Sequence, residues 1–247
     1  MKLALLADIH ANLEGLQACL EHAREQGVDG VAFIGDLVGY GADPAAVLDL
    51  VLEEVARGAA VVRGNHDAAV AESGADTMNK SAEAAVGWTR ERLSESHRAF
   101  LAGLPLAVRR DDVLFVHASA DRPADWTYVS DVVRAEQSLL ASDATWTFSG
   151  HVHEPMLYFL GAGARAQVFK PTPGVAIPVP ARRRWLAIVG SAGQPRDGNT
   201  AAAYAVFDRG RATLTFHRVP YQWAKAAAKI RAAGLPESLA RRLERGE

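Results

Sequence analysis

Cysteine is almost absent from this chain: Cys19 stands alone among 247 residues. No intrachain disulfide can form, which excludes a disulfide-stapled scaffold and fits a reducing compartment. Thiolate-rich structural zinc sites are disfavoured on the same count. Long hydrophobic runs are missing too. No stretch approaches the ~18 apolar residues of a membrane span, and the apolar run at Leu3–Ala7 is too short for a signal peptide. The expectation is a cytoplasmic protein with no membrane partner. An excess of charge is the third absence. The net charge of −2 provides no broad attraction to nucleic acid or to anionic lipid. There is no internal repeat, no low-complexity tract and no evident interdomain linker, so residues 1–247 are expected to form one domain.

What is present is ordinary in bulk and specific in detail. Hydrophobic residues make up 49% and charged residues 23%, enough for a substantial core. Residues 3–7 form a short apolar run that reads as a buried strand. Leu13, Leu16, Leu20 and Ala23 then recur at helical spacing, and Gly27 supplies a stop. Val31–Ile34 is a second strand. Asp43-Pro44 offers an N-cap and a proline at the first helical position for a helix to about Val55, and Ala59–Val62 is a third strand. This β-α-β-α-β order implies a parallel core covered by helices.

Further on, residues 79–100 and 130–140 read as helical. Leu106–Arg110 and Val113–Val116 form a hairpin across Asp111-Asp112, and Thr145–Ser149 is a strand. The chain then becomes strand-rich, with Met156–Leu160, Ala166–Phe169, Trp185–Val189, Ala201–Phe207 and Arg211–Arg218. Lys170–Arg184, with four prolines and three consecutive arginines, reads as an exposed loop. The arginines Arg182, Arg183 and Arg184 fit a solvated loop better than a nucleic-acid patch. A helical tail starts near Gln222 and breaks at Gly234-Leu235-Pro236.

Five of the eight histidines sit in short polar motifs that each follow an apolar run: Asp8-Ile9-His10, Gly64-Asn65-His66-Asp67, Val116-His117 and Gly150-His151-Val152-His153, with Gly35-Asp36 as a fifth motif of the same kind. In open α/β sheets, sites gather outside the carboxyl ends of strands, so five strand ends would deliver these groups to one rim. Alternation along an extended segment would put Asp8 and His10 on one side, and likewise His151 and His153. Asp8, His10, Asp36, Asn65, His117, His151 and His153 exceed what one mononuclear site needs. One carboxylate shared by two divalent ions, each with about four protein donors, accounts for all seven. Oxygen and nitrogen donors without thiolate favour Mn, Fe, Co, Ni or Zn. Each motif alone is weak evidence; their joint, ordered occurrence at strand ends is what counts.

The set resembles the calcineurin-like metallophosphoesterase superfamily, whose pattern is D-x-H, G-D, G-N-H-[DE], a later H, and G-H-x-H. All five blocks are present across residues 8–153. Gly35-Asp36-Leu37-Val38-Gly39-Tyr40-Gly41 and Gly190-Ser191-Ala192-Gly193-Gln194-Pro195-Arg196-Asp197-Gly198 are similar to the small predicted phosphodiesterase branch found in bacteria and archaea. The resemblance implies an α/β fold, a four-layer α/β/β/α sandwich with two mixed sheets. It implies that Asp8, His10, Asp36 and His153 hold one metal and that Asp36, Asn65, His117 and His151 hold the second, with Asp36 bridging. His66 would be no ligand but the catalytic proton donor to the leaving group. Such a pair would act by in-line attack of a metal-bridging hydroxide on a phosphate ester.

The chain departs from the family in three places. The serine/threonine phosphatase branch carries an Asp-Arg pair where this chain has Gly39-Tyr40, which argues against a protein phosphatase. Asp67 is then a candidate to orient His66. Ala11 and Ala118 stand where relatives often have glycine. Three further residues have two readings each. Asn12 contacts phosphate or caps the helix at Leu13; Tyr40 stacks on a substrate arm or packs; Arg196 grips phosphate with its planar fork or belongs to a structural turn. With one fixed cation fewer, a diester needs less charge compensation than a monoester. The expected activity is therefore a phosphodiesterase acting on small organic or nucleotide esters. A phosphomonoesterase and a dinucleoside-polyphosphate hydrolase are the alternatives within enzymes, and a non-catalytic scaffold of the same fold is the alternative outside them.

Overall fold

The structure, a computed structural model, describes residues 1–72 and 78–247. In chain order its strands are β1 (Lys2–Leu6), β2 (Gly30–Ile34), β3 (Ala60–Val62), β4 (Ala107–Arg110), β5 (Val113–Val116), β6 (Trp146–Ser149), β7 (Met156–Leu160), β8 (Ala166–Phe169), β9 (Ala176–Pro178), β10 (Trp185–Ile188), β11 (Ala202–Asp208) and β12 (Thr213–Val219). The helices are α1 (Leu13–Glu25), α2 (Pro44–Ala56), α3 (Asn65–Glu72), α4 (Lys80–Arg92), α5 (Glu95–Ala102), α6 (Val132–Leu140), α7 (Trp223–Ala232) and α8 (Glu237–Arg245).

The strands build two mixed sheets, ordered β3-β2-β1-β11-β12-β9 and β4-β5-β6-β10-β7-β8. β1, β2 and β3 are parallel, as the opening β-α-β-α-β pattern requires, and β11 joins β1 antiparallel. In the second sheet β6 runs parallel to both β5 and β10. The alternation of side chains along each strand separates the layers. Leu3, Leu5, Ala32 and Ile34 meet Phe115, Phe148, Trp185 and Phe207 between the sheets. Ala4, Leu6 and Phe33 point the other way, onto Leu16, Leu20, Val47 and Val51 of α1 and α2. On the far side Leu186 and Ile188 of β10 pack on Ala135 and Leu139 of α6. This is the expected α/β/β/α sandwich.

Local differences from the sequence reading have local causes. Residues 79–100 hold two helices: α4 ends at Arg92, with Leu93 extended, and the Ser94 hydroxyl caps α5 by accepting from the His97 amide at 3.2 Å. Asp43 makes no side-chain cap on α2; its carboxylate instead accepts from Lys229 Nζ at 2.8 Å. The segment Lys170–Arg184 is more than an exposed loop. It contains the edge strand β9, paired with β12, and a buried Val179 whose carbonyl accepts from the Trp146 indole at 2.8 Å. Arg183 lies over the Phe159 ring, and Arg184 donates to the carbonyl of Ser142 at 2.9 Å.

The C-terminal helices are docked. Gly234, at φ 72°, turns the chain between α7 and α8. Their apolar faces, including Ile230, Leu235, Leu239 and Leu243, close on Tyr40 and on Ala82 and Ala85 of α4. Lys225 and Lys229 pair with the buried Glu14 of α1 at 3.1 and 2.7 Å.

Gly15, in the first turn of α1, tests how tightly that helix sits against residues 190–193. Helix propensity alone favours alanine there by about 1 kcal/mol. A Cβ on Gly15 would fall 2.3 Å from the Ala192 carbonyl oxygen, a backbone atom that cannot swing away. Gly15→Ala is therefore predicted to destabilise by about 1–3 kcal/mol and to lower Tm by several degrees. A Tm at or above wild type in a thermal melt would show that the loop gives way.

Candidate metal centre

The strand ends converge as expected, though by a different local geometry. Asp8 and His10 follow β1, Asp36 follows β2, Asn65 lies just past β3, His117 follows β5, and His151 and His153 follow β6. Asp8, His10, Asp36, His151 and His153 all have positive φ, between 49° and 66°. Extended-chain alternation therefore does not pair these side chains. A left-handed conformation at each of these positions turns the backbone so that the side chain points inward. His151 and His153, expected on one side, are split between two groups of donors.

In the first group, donor atoms of Asp8, His10, Asp36 and His153 lie within 4.8 Å of one another; in the second, those of Asp36, His117 and His151 do the same. Asp36 belongs to both. Its Oδ2 is 3.6 Å from His10 Nε2 and 3.3 Å from His117 Nε2. Asn65 Oδ1 joins the second group, 3.3 Å from His117 Nε2. All seven side chains predicted as ligands thus meet, and Asp8, His10, Asp36 and His117 are at most 1% exposed.

The backbone fixes which atoms face inward. The Nδ1–H groups of His10, His117 and His153 donate to the carbonyls of Val38, Ile34 and Gln194 at 3.3, 2.8 and 2.7 Å. That sets the tautomers and leaves Nε2 lone pairs directed at the cluster. Burial holds His10 and His153 well below the usual imidazole range, so both rings are neutral. Their Nε2 atoms nevertheless lie 3.2 Å apart with no proton to share. Two lone pairs at that distance repel unless a cation lies between them. Burial likewise brings His151 down to about 3, and its Nδ1 is 3.2 Å from His117 Nε2. The donor set and its geometry fit divalent ions of the borderline class.

His117 behaves differently. Burial alone would lower it, but the Asp36 carboxylate beside it prevails and raises it to about 9. Asp8 is pushed by burial up to about 8.

Glycines make room for this packing. A Cβ on Gly64 would lie 2.1 Å from Asp36 Oδ1, and one on Gly150 2.6 Å from Asp8 Oδ2. Gly39 performs the same service for His66, whose Nδ1 lies 2.6 Å from where its Cβ would be. Asp67 does not orient His66. Its carboxylate accepts from the amides of Leu37, Val38 and Gly64 at 2.9, 3.2 and 2.9 Å, tying two metal-site loops together. His66 Nδ1 is buried without a partner.

The three residues with two readings resolve unequally. Asn12 caps α1: its Oδ1 accepts from the Gly15 amide at 3.0 Å, while its Nδ2 donates to the Gly193 carbonyl at 2.7 Å and to the Tyr221 hydroxyl at 3.1 Å. Those bonds account for the side chain within the protein. Tyr40 is buried, its ring 4.5 Å from that of His10 and 4.4 Å from that of His66. Arg196 stands 5.8 Å from the Tyr40 ring centre.

Three neighbours escaped the sequence reading. Tyr128 stacks on His151 at 3.9 Å, and Trp126 approaches His117 at 6.0 Å. With Asn65 and His66 they line a cavity of about 410 Å³ at the mouth of the cluster. Arg242 of α8 lies 5.7 Å from Tyr40. The aromatic pair sits in a loop without strand or helix periodicity, and Arg242 is one of three arginines in a charged helix, so neither carried a signal.

Residues 1–211 match the model of the calcineurin-like phosphoesterase superfamily domain. An uncharacterized protein of Methanocaldococcus jannaschii is 32% identical over 251 residues, covering 98% of this chain and 96% of the relative. The crystal structure of a metallophosphoesterase from Sphaerobacter thermophilus superposes with a TM-score of 0.89 at 35% identity, covering 100% of this chain and 99% of that one. A hypothetical protein from Pyrococcus horikoshii shares the fold, with a TM-score of 0.82, 19% identity and coverage of 100% and 98%.

The protonation pattern predicts how metal uptake depends on pH. His117 and Asp8 hold protons in the metal-free site near neutrality, and a metal must displace them. Below about 8 to 9 affinity should fall as pH falls, by about tenfold per pH unit for each proton displaced. Calorimetric Mn²⁺ titrations in buffers of different ionisation enthalpy should register proton release at pH 7. Affinity that is flat from pH 6 to 9 would contradict these assignments.

Proposed function

The chain belongs to the calcineurin-like phosphoesterase superfamily, and from that premise we propose that it is a dinuclear, metal-dependent phosphodiesterase acting on small organic or nucleotide esters. The observation that carries this reading is the sharing of Asp36 between two groups of buried donors. Asp8, His10 and His153 complete one group; Asn65, His117 and His151 complete the other. When bound, two divalent cations supply Lewis-acid charge neutralisation to a phosphoryl group and make a water nucleophile available near neutral pH. Mn, Fe, Zn, Co and Ni all suit the donors.

His66 is the proton donor in this reading. Its Nδ1 is buried without an acceptor. An orphaned N–H there would cost more than an orphaned lone pair, so the proton belongs on Nε2. Burial lowers the ring below the usual imidazole range, so at rest it is neutral and its Nε2–H can only hydrogen-bond to the leaving oxygen. To give that proton up without forming imidazolate the ring must first take one from solvent, which the negative charge of a bound phosphate ester would favour. His66 also lines the cavity where a leaving group would sit.

The preference for a diester rests on shape rather than on charge. A deficit of fixed cations no longer separates diester from monoester, because Arg242 adds a second guanidinium beside Arg196. A diester has two arms to place, however, and the surroundings offer two places: the cavity walled by Tyr128 and Trp126, and the arginine-flanked side of Tyr40. A monoester would use only one of them. Tyr40, between the histidines and the guanidiniums, would guide the second arm, and residues 1–247 would act as one unit because α7 and α8 complete that wall.

Elemental analysis of gently purified protein is expected to give two metal ions per chain, and Asp36→Ala to lose both. In the presence of Mn²⁺, kcat/KM for bis(p-nitrophenyl) phosphate should exceed that for p-nitrophenyl phosphate. Saturation at one ion with full activity would remove the dinuclear claim. A consistent monoester preference would promote the phosphatase alternative.

His66→Ala should keep its metal and lose turnover by about 10²–10⁴-fold on esters with poor leaving groups. The loss should shrink for nitrophenolate, which needs little protonation. Equal losses across leaving groups would assign His66 another role.

A further inference from the structure

Two guanidiniums stand side by side near the cluster with no acid between them. Arg196 Nη2 donates to Gln194 Oε1 at 3.0 Å, and Arg242 Nη1 reaches the same oxygen at 3.5 Å. Both lie over Tyr40 at nearly equal distance, 5.8 and 5.7 Å. Among the described residues neither forms an ion pair with a carboxylate. Asp197, the acid next in sequence to Arg196, is taken by Arg218. Arg196 Nε is buried with no hydrogen-bond partner. Two like charges that share one neutral acceptor, with a third donor idle, leave an unmet demand for anionic oxygen.

The arrangement is held from several directions. Gln194 is itself fixed, since its carbonyl accepts from His153 Nδ1 and its amide donates to Ser191 Oγ at 2.7 Å. Arg242 is held by the docking of α8, whose end meets residues 198–199: the Gly198 amide donates to the Gly246 carbonyl at 2.9 Å. Arg242 lies beyond residues 1–211, the stretch matched by the family model.

On these grounds we propose that Arg196 and Arg242 form a subsite for a second phosphoryl group, carried on the substrate arm that does not leave. The inference rests on the phosphodiesterase reading above. Charge supports it: a terminal phosphate carries about −1.5 to −2 near neutral pH, which two guanidiniums match. Placement supports it as well. Neither arginine forms an ion pair with Asp8 or Asp36, yet the charge of Arg196 is felt at Asp8 and His153 and that of Arg242 at His66, so the two border the donor cluster without joining it. The opposite flank offers no comparable pair of free guanidiniums: Glu72 and Asp125 line the cavity beside Trp126 and Tyr128, and each is already paired with an arginine, Arg63 and Arg122. The site is thus polarised, with an uncharged ring-bearing leaving group on the aromatic side and a phosphorylated arm on the arginine side.

Thymidine 5′-(p-nitrophenyl phosphate), with and without a 3′-phosphate, isolates this feature, because the two esters differ only in the second anion. For the metal-loaded wild type, kcat/KM should favour the 3′-phosphorylated ester by about tenfold or more. In Arg242→Gln and in Arg196→Gln that ratio should collapse toward one, and Arg242→Lys, which keeps charge but loses the fork, should fall between. A wild-type ratio near one, or variants that weaken both esters equally, would overturn the subsite and leave the arginines acting on the scissile phosphate or on structure. Failure to hydrolyse either ester would indict the activity instead. In that event the ratio of calorimetric Kd values for the two intact esters still decides the subsite by the same criterion.

Discussion

The constraint on which the rest of this structure depends is electrostatic. Two carboxylates and four imidazoles are packed together as buried side chains, with lone pairs facing lone pairs. His10 and His153 show it most directly, with Nε2 atoms 3.2 Å apart on rings that burial keeps neutral. Ordinary folding does not assemble such a cluster, because buried polar atoms favour arrangements in which each acceptor meets a donor. It persists because the surrounding backbone over-determines it. Carbonyls of Ile34, Val38 and Gln194 take the outward N–H groups and leave no choice about which nitrogen points in. A cation removes the conflict; a proton on His117 removes part of it, and against the lowering effect of burial the Asp36 carboxylate holds that proton there.

The backbone carries a cost for this placement. A left-handed conformation disfavours residues other than glycine by about 1–2 kcal/mol each, and five donor-bearing residues adopt it. What offsets that cost is a lattice of bonds between neighbouring strand ends. The amides of Asp8, His10 and Ala11 donate to the carbonyls of Gly35, Asp36 and Leu37, and those of Ala192 and Gly193 donate to Ala7 and Asp8. Asp67 adds three more acceptor contacts from beneath. The turns after β1, β2, β3 and β10 thereby become one rigid rim. Strain concentrated at a functional site and held by its surroundings is the pattern expected where geometry matters to the chemistry.

How much of this was legible in the sequence follows from where each signal lives. The ligand motifs are local, and each sits directly after an apolar run, so both their identity and their convergence could be read. The sandwich was legible by resemblance, and β1, β2 and β3 by pattern. The left-handed turns were not, because aspartate and histidine, though enriched at positive φ, adopt it too seldom for their presence to be read as a turn, and alternation was the wrong rule once the strand had ended. The edge strand β9 was hidden by its prolines; Pro178 is tolerated because β9 lies at the sheet edge, paired on one side only. Trp126, Tyr128 and Arg242 could not be found at all, since their role comes entirely from tertiary packing.

That division between legible and hidden residues has a physical basis. The metal-binding chemistry needs particular atoms at distances of a few ångströms, and short strand-end motifs meet that need with little dependence on the rest of the chain. Recognition of a substrate arm needs only a surface of suitable shape and charge one ring's breadth away, which a loop or a distant helix can supply. In the proposed reading the wall on one side comes from residues 123–128 and the wall on the other from α8, some 90 residues beyond His151 in sequence. Tyr40 joins the two systems, touching His10 and His66 through its ring while anchoring the apolar face of α7 and α8. Glu14 and Asp43, which hold Lys225 and Lys229, fix that docking from the opposite end. The C-terminal helices are therefore positioned by the same loops that position the metal donors. A change in their packing would move the arginine side of the site while leaving the buried donors where they are.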